Sequence, residues 1–480
     1  MEKKSSIFVL IGYAYIILPI LVFFIGYCNT VTAILGTLTI ICASYFLYKN
    51  RPQLWMPQNK KEWFLIGLLV LISSLWVYLS GIGAFVFQNY DHTARNAIFE
   101  KLIALDWPVK SDNGQFLIYY IGFWLPSAVV GKIANNLNIA YFFQYLWAVL
   151  GVFLTFYFIL VNLKNKSLLP IIVFILFSGL DIAGANLLEI LSVHHTPTNL
   201  ISHMEWWFRG FQFSSMTTQL FWVFNQAIPA WIVTLILFNE KNNKNMIFIY
   251  SCMFLSSTLP AIGLLPFLCY LILKNSNDND IKMLSIEHIK TSVKSCFTLS
   301  NILCASFVTL VSYIYLSNNM AAAATNPISD VQSLHFGFFV FWFLTFFILE
   351  AGLYLFSVFK MQYKNPVYYI CCFCLLVYPF IRVGYASDFC MRATIPALIL
   401  LYLFVVQALE SKEFLRNKLS AILLIILLLV GSFTPVHEIS RTVVYTSLGV
   451  KKAPSILQGA NFYGYVENNK FLKYFGKTKN

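Results

Sequence analysis

Apolar stretches of about 20 residues recur along the whole chain. A helix of that length crosses a hydrocarbon layer of about 30 Å with its backbone hydrogen bonds satisfied internally. The pattern predicts an all-α polytopic transmembrane bundle of roughly 11–14 membrane helices, some of them re-entrant, and it excludes a membrane barrel. The first stretch, residues 7–27, follows lysines and has no small-residue cleavage site after it, which reads as a retained signal anchor with a cytoplasmic N-terminus. Two stretches break the pattern. Residues 116–134 carry Tyr119, Tyr120, Trp124, Pro126 and Lys132, which suits a re-entrant or interfacial helix better than a lipid-facing span. Residues 247–273 are interrupted by Pro260 and Gly263 and are expected to form a hairpin of two short helices, the Pro260 region being a packing kink. No internal repeat, low-complexity run or soluble domain is evident, so residues 1–480 are taken as one membrane domain.

Composition agrees with the pattern. Of 480 residues, 59% are hydrophobic and 11% charged, more apolar surface than a soluble core can hide. The net charge of +13 comes from lysines and arginines scattered through short loops, as orientation in a membrane requires, and argues against nucleic acid as a partner. The basic clusters at 49–61, 164–166, 241–244, 274–294, 360–364 and 412–418 mark cytoplasmic loops. The outer face then carries loops 87–115, 181–219, 317–334 and 383–391, together with the tail 436–480. The ten cysteines lie mainly within apolar segments, lack zinc-ligand spacing with histidines, and read as small core residues.

The candidate chemistry collects on that outer face. Asp91 and His92 precede a short amphipathic helix with apolar residues at Ile98, Leu102 and Leu105, expected to lie flat on the membrane. Asp91 is either its N-cap or a general base. Asp181 ends an apolar helix where the chain is expected to reach water. Beyond it, His194, His195, His203, Glu205, Trp206 and Gln212, then Asn225 and Gln226 at the start of the next span, offer aromatic faces, amides and a carboxylate, the groups that hold sugars. The histidine spacing matches no compact metal motif, so hydrogen-bonded histidines are favoured over a bound divalent metal. Arg382, Asp388 and Arg392 flank the loop before another span. They fit either a lipid-phosphate grip or a plain Asp388–Arg392 ion pair.

An acid in the first outer loop, then an interfacial helix, Trp107-Pro108 and the run Tyr-Tyr-Ile-Gly-Phe-Trp-Leu-Pro from Tyr119 to Pro126, resembles the GT-C superfamily of membrane glycosyltransferases. The likeness is one of layout, mainly over residues 27–226. It implies a sugar donor carried on a polyprenyl phosphate, an acceptor that is a glycan, lipid or protein, and transfer on the outer face with Asp91 as the essential acid. Arg392, Arg382 and Lys132 are the cations available to the phosphate, with Asp388 beside them. The chain departs from that pattern in lacking an Asp-X-Asp or Asp-Glu pair in the first loop and a large soluble C-terminal domain. A polysaccharide polymerase or ligase and a lipid-linked sugar flippase or transporter are the alternatives. The expected outer loops hold no Asn-X-Ser/Thr sequon, which favours a bacterial plasma membrane.

Overall fold

The computed structural model describes residues 7–110, 114–191, 203–208, 211–276, 285–319, 336–381, 383, 388–457, 462–465 and 469–477. The chain is an all-α helical bundle and an integral multi-pass membrane protein. Among the described residues nine helices are long and apolar enough to cross a membrane, ten if the bent pair Ile286–Ser295 and Ser300–Leu316 is one span. Helix starts follow local chemistry. The side chains of Asn29, Asn136 and Ser215 accept backbone N–H groups at the starts of Thr30–Asn50, Leu137–Val161 and Met216–Asn239, satisfying donors that a first turn leaves unpaired.

Met216–Asn239 is the axis of the bundle, with 94% of its most apolar window buried. A helix apolar all round belongs in such a place. It packs against Leu137–Val161, Phe254–Lys274 and Ile395–Glu410. The outer helices instead turn Val31, Ile41, Phe64 and Leu71 outward, as a lipid-facing belt does.

Three spans are interrupted at points that meet. Leu169–Leu176 and Asp181–Ile190 are halves of one span broken at 177–180. A π-turn over Ile348–Gly352 interrupts a second span, and Lys418–Gly431 gives way to Phe433–Ser447 in a third. Leu180 N–H donates to the Leu349 carbonyl at 3.2 Å. Two glycines permit the approach: a Cβ at Gly179 would sit 1.8 Å from Glu350 Oε2, and one at Gly431 would sit 2.7 Å from the Ser178 carbonyl oxygen.

One end of the bundle is closed by the tail. Tyr463–Tyr465 pairs antiparallel with Gln115–Leu117, Gln115 opposite Tyr465. Gln88 N–H donates to Lys451 O, Ile456 N–H to Thr93 O, and Lys477 N–H to Tyr27 O. The tail therefore lies on the same face as the 87–115 loop.

The structure corrects several expectations. Residues 247–273 are not a hairpin of two short helices. A short helix Met246–Ser251 precedes the single 21-residue helix Phe254–Lys274, which bends at Ser257 where the backbone leaves helical values. Pro260 and Pro266 sit inside that helix without ending it, because tertiary packing holds what propensity alone would break. The segment 181–219 does not start as a loop, since its first ten residues are helical. The 116–134 segment contains a helix of ten residues, Leu125–Ala134, about 15 Å long and too short to span. The amphipathic helix His92–Ala104 exists, but His92, Arg95 and Asn96 are buried as well as Ile98 and Leu102. It is clamped beneath the tail and does not lie bare on the membrane.

Candidate functional site

Two ion pairs with the same spacing act on one partly buried tyrosine. Asp91 does not cap the helix it precedes: its side chain makes no cap bond and instead pairs with Arg95 at 2.9 Å. Asp388 pairs with Arg392 at 2.7 Å, again four residues apart. Both acids and both arginines act electrostatically on the Tyr119 hydroxyl. Arg392 and Asp388 act on Tyr120 as well. Two pairs far apart in the chain thus act on the same side chain.

The elements account for this. The 3₁₀ turn Ile121–Phe123, which follows the two tyrosines, packs against Met216–Asn239 and Phe254–Lys274. The short helix Asp388–Ala393 lies so close to Phe254–Lys274 that a Cβ at Gly263 would stand 1.8 Å from the Ala393 carbonyl oxygen. Met216–Asn239 leaves helical geometry at Val223. Just beyond that break, Asn225 accepts from Arg95 Nε at 3.4 Å, and the Arg95 guanidinium lies over the Phe224 ring.

Both arginines are buried. For Arg392, burial works against the charge, but Asp388 and the two tyrosines outweigh it and its pKa is raised. Arg392 Nε and Asn225 Nδ2 have no acceptor among the described residues. Buried donors without acceptors are costly, roughly 1–3 kcal/mol each. A site holding two guanidiniums and an unpaired amide is suited to an anionic ligand with several acceptor oxygens.

His92 is held differently. Its Nε2 faces the Phe221 carbonyl and its Nδ1 faces the Gln88 amide nitrogen, each at 3.2 Å. Those partners assign the proton to Nε2. Burial, with Arg95 adding to it, lowers its pKa to about 3, so the ring is neutral and both nitrogens serve the fold. Gln226 is fully buried, with neither side-chain oxygen nor nitrogen bonded among the described residues.

A second cluster lies across Met216–Asn239. His203 Nδ1 is 3.4 Å from Glu438 Oε1, and its Nε2 is 3.8 Å from Glu205 Oε2. Its ring stacks on Trp222, centroids 4.6 Å apart. Glu438 Oε2 accepts from Trp222 Nε1 at 2.7 Å and from Arg441 at 2.8 Å. Glu205 accepts from Gln212 Nε2 at 2.7 Å and from Ser215 N–H at 2.8 Å. Burial raises the Glu205 pKa to about 7. Burial pulls His203 down, but the bond to Glu438 and the charges of both glutamates prevail and its pKa is raised. Trp206 is 57% exposed, edge-on to His203, and donates to Gln212 Oε1. This cluster unites the His203, Glu205, Trp206 and Gln212 candidates. Trp222 lies three residues before Asn225 in sequence, on the other side of the break at Val223.

Other candidates lie elsewhere. Lys132 donates to the Leu105 carbonyl at 2.5 Å, at the far end of His92–Ala104, roughly 20 Å along the axis from Asp91. It is therefore not a partner of Arg392. Asp181 is not at a membrane boundary. It sits within the broken span Leu169–Ile190, 1% exposed, accepting from Thr434 Oγ1 at 2.7 Å and Ser178 Oγ at 2.9 Å. Glu350, also mid-span, is its hydrogen-bonding neighbour. Arg382, His194 and His195 lie outside the described residues. Among the described residues no three His, Cys, Asp or Glu side chains gather as metal ligands. An apolar crevice lined by Tyr15, Trp147, Pro229 and Val233 holds none of these groups.

Sequence reasoning passed over Arg95, Glu438 and Arg441. The first carried a signal: Asp91-X-X-X-Arg95 repeats the spacing of Asp388-X-X-X-Arg392. Glu438 and Arg441 had only an i,i+3 relation in an otherwise ordinary tail helix.

No protein-family model matches the chain, and no curated protein or solved structure is significantly similar to it.

Proposed function

We propose that the protein is a GT-C-like membrane glycosyltransferase that moves a sugar from a polyprenyl-phosphate carrier to a glycan, lipid or protein acceptor. The reading places the reaction on the outer face of a bacterial plasma membrane. Its main support is that Arg95 and Arg392, each held by an aspartate, both act on the Tyr119 hydroxyl.

In this reading the phosphate of the donor sits between the two guanidiniums, where Arg392 Nε and Asn225 Nδ2 lack acceptors. The acceptor hydroxyl attacks the anomeric carbon, the bond from that carbon to the phosphate oxygen breaks, and the configuration inverts. Asp91, with its side chain 37% exposed, takes the hydroxyl proton, within hydrogen-bond reach or through one water. Arg95 and Arg392 stabilise the charge that grows on the departing phosphate. The sugar lies toward His203, Glu205, Trp206 and Gln212, whose aromatic faces and amides suit a polyol. A carrier lipid in the bilayer also removes the need for a nucleotide-binding motif.

The test is turnover of radiolabelled polyprenyl-phosphate sugars by purified protein with membrane extract. Asp91→Asn should lower kcat by roughly 10²–10⁴-fold, and Arg392→Ala by about 10²–10³-fold, with both variants folded. Undiminished turnover in Asp91→Asn rejects the assigned base. A second reading, an ion-coupled lipid-sugar transporter, is favoured by one observation, the buried carboxyls at broken spans. Donor translocation in proteoliposomes without transfer selects it.

A further inference from the structure

The junction of the three interrupted spans holds two acids that the proposed reaction does not use. Asp181 begins the second half of the broken span, and Glu350 stands in the π-turn opposite. Their carboxyl groups contact each other, and both residues are at least 98% buried, at 1% and 2% exposure. Their partners among the described residues are neutral: Ser178 and Thr434 hydroxyls on Asp181, and the Trp207 indole N–H on Glu350 Oε1 at 2.8 Å. Arg441 is taken up by Glu438, and Glu205 by Gln212 and Ser215. His203, nearest in charge to Asp181, is engaged with Glu438 and Glu205.

Two carboxyl groups in one buried place must share a proton or meet positive charge, since the penalty for an unpaired buried ion is several kcal/mol. One of the four carboxyl oxygens is left without an N–H or hydroxyl donor among the described residues. Glu350 Oε2 is buried with no donor among the described residues, and it is the atom that presses on Gly179. The unwound stretch adds oxygen atoms. No backbone N–H of the described residues outside regular helix bonding donates to the carbonyls of Ser178 or Gly179, and both carbonyls approach Gly431. The junction thus combines two carboxylates, two hydroxyls and two carbonyls, an all-oxygen set with a formal charge of −2. Hard divalent cations take such a set. Unwound carbonyls at a helix break are where membrane proteins bind cations.

We propose that Asp181 and Glu350, with the hydroxyls of Ser178 and Thr434 and the carbonyls of residues 178–179, form a site for one hard divalent cation. It pins the three interrupted spans together beneath the outer loops. The site is separate from the Arg95–Arg392 pair and does not depend on the glycosyltransferase reading.

The test uses Mn²⁺ alone, with no sugar donor. Chelator-stripped full-length protein in detergent is titrated with Mn²⁺ and free ion is followed by electron paramagnetic resonance, with Mg²⁺ and Ca²⁺ as competitors. The expected result is one saturable site in the wild type and in Asp91→Asn, lost in Glu350→Gln and in Asp181→Asn. A saturable rise in the unfolding temperature of the wild type should accompany binding. Should Asp181→Asn fail to fold, the wild type and Glu350→Gln decide the matter. No saturable site in the wild type, or one that survives in Glu350→Gln, overturns the proposal. In the former case an infrared band of a protonated carboxyl that disappears in Glu350→Gln assigns the charge to a shared proton instead. Because no turnover is measured, a protein without glycosyltransferase activity can still pass, and an active one can still fail.

Discussion

Single side chains in the second cluster are held by opposing charges, and that makes their loss costly. Glu438 compensates Arg441 and, across 3.4 Å, His203. Glu438→Ala would leave both buried without their common partner. A loss on the order of 3–5 kcal/mol is expected, read as a large fall in unfolding temperature. Replacing half-buried Glu62, which accepts the Gln58 N–H at its own helix start, should cost about 1 kcal/mol or less. The pH dependence follows from Glu205 and His203. Glu205 has a folded pKa near 7 against an ordinary 4.5, so between those values the folded chain holds a proton that the unfolded chain has released. Its stabilising contribution is full below the unfolded value and is lost as pH rises through about 7. His203, also raised, acts with the same sign at somewhat higher pH. The unfolding temperature should therefore fall as pH rises from about 5 through about 7, and Glu205→Gln should remove part of that slope. A flat profile in the wild type rejects the assignment.

Elements meet here through glycine contacts, and two glycines make a controlled comparison. A Cβ at Gly263 would collide with the Ala393 backbone at 1.8 Å, while one at Gly67 meets nothing within 4 Å. Gly263→Ala should separate Phe254–Lys274 from the Asp388–Arg392 helix and cost roughly 3 kcal/mol or more. Gly67→Ala should be neutral or gain up to about 1 kcal/mol. Thermal unfolding of both variants checks the pair. The spans themselves were readable, because a membrane helix must carry an uninterrupted apolar run. The interruptions were less so. Pro260 and Gly263 suggested a hairpin, yet the helix continues through both, and only the expected kink is present, at Ser257, three residues before the proline whose ring crowds the preceding turn. Asp181 read as a boundary residue because one acid after an apolar run looks the same whether water or a second acid faces it. Its true neighbours, Glu350 and Thr434, are contributed by spans far along the chain.

Across the whole molecule, the class was plain from composition and periodicity, and the candidate site was legible in pieces. Asp91, Asp388 and Arg392 were named from sequence, as were His203, Glu205 and Gln212. That Arg95 joins the first group and Glu438 the second depended on long-range packing. Lys132 looked equally eligible and lies at the wrong end of a helix. The tail's role was also hidden, since its strand Tyr463–Tyr465 is three residues long. Removing residues 458–480 should loosen the 87–118 segment without dissolving the spans. Limited proteolysis should then cut that segment faster, whereas unchanged protection would show that Gln88 and Asn96 hold it without the strand.

The stitching of the tail to the first loop also sets a clock. Asn96 and Gln88 bond to Ala453 across 357 and 365 positions. At a synthesis rate of about 5–20 residues per second, Gln88 emerges roughly 20–70 s before its partner. During that interval the helix bearing Asp91 and Arg95 has no cover, and the paired aspartate and arginine near residue 390 arrive only toward its end. The Asp91–Arg95 helix thus waits for both its second ion pair and its covering segment until more than 350 further residues have been made.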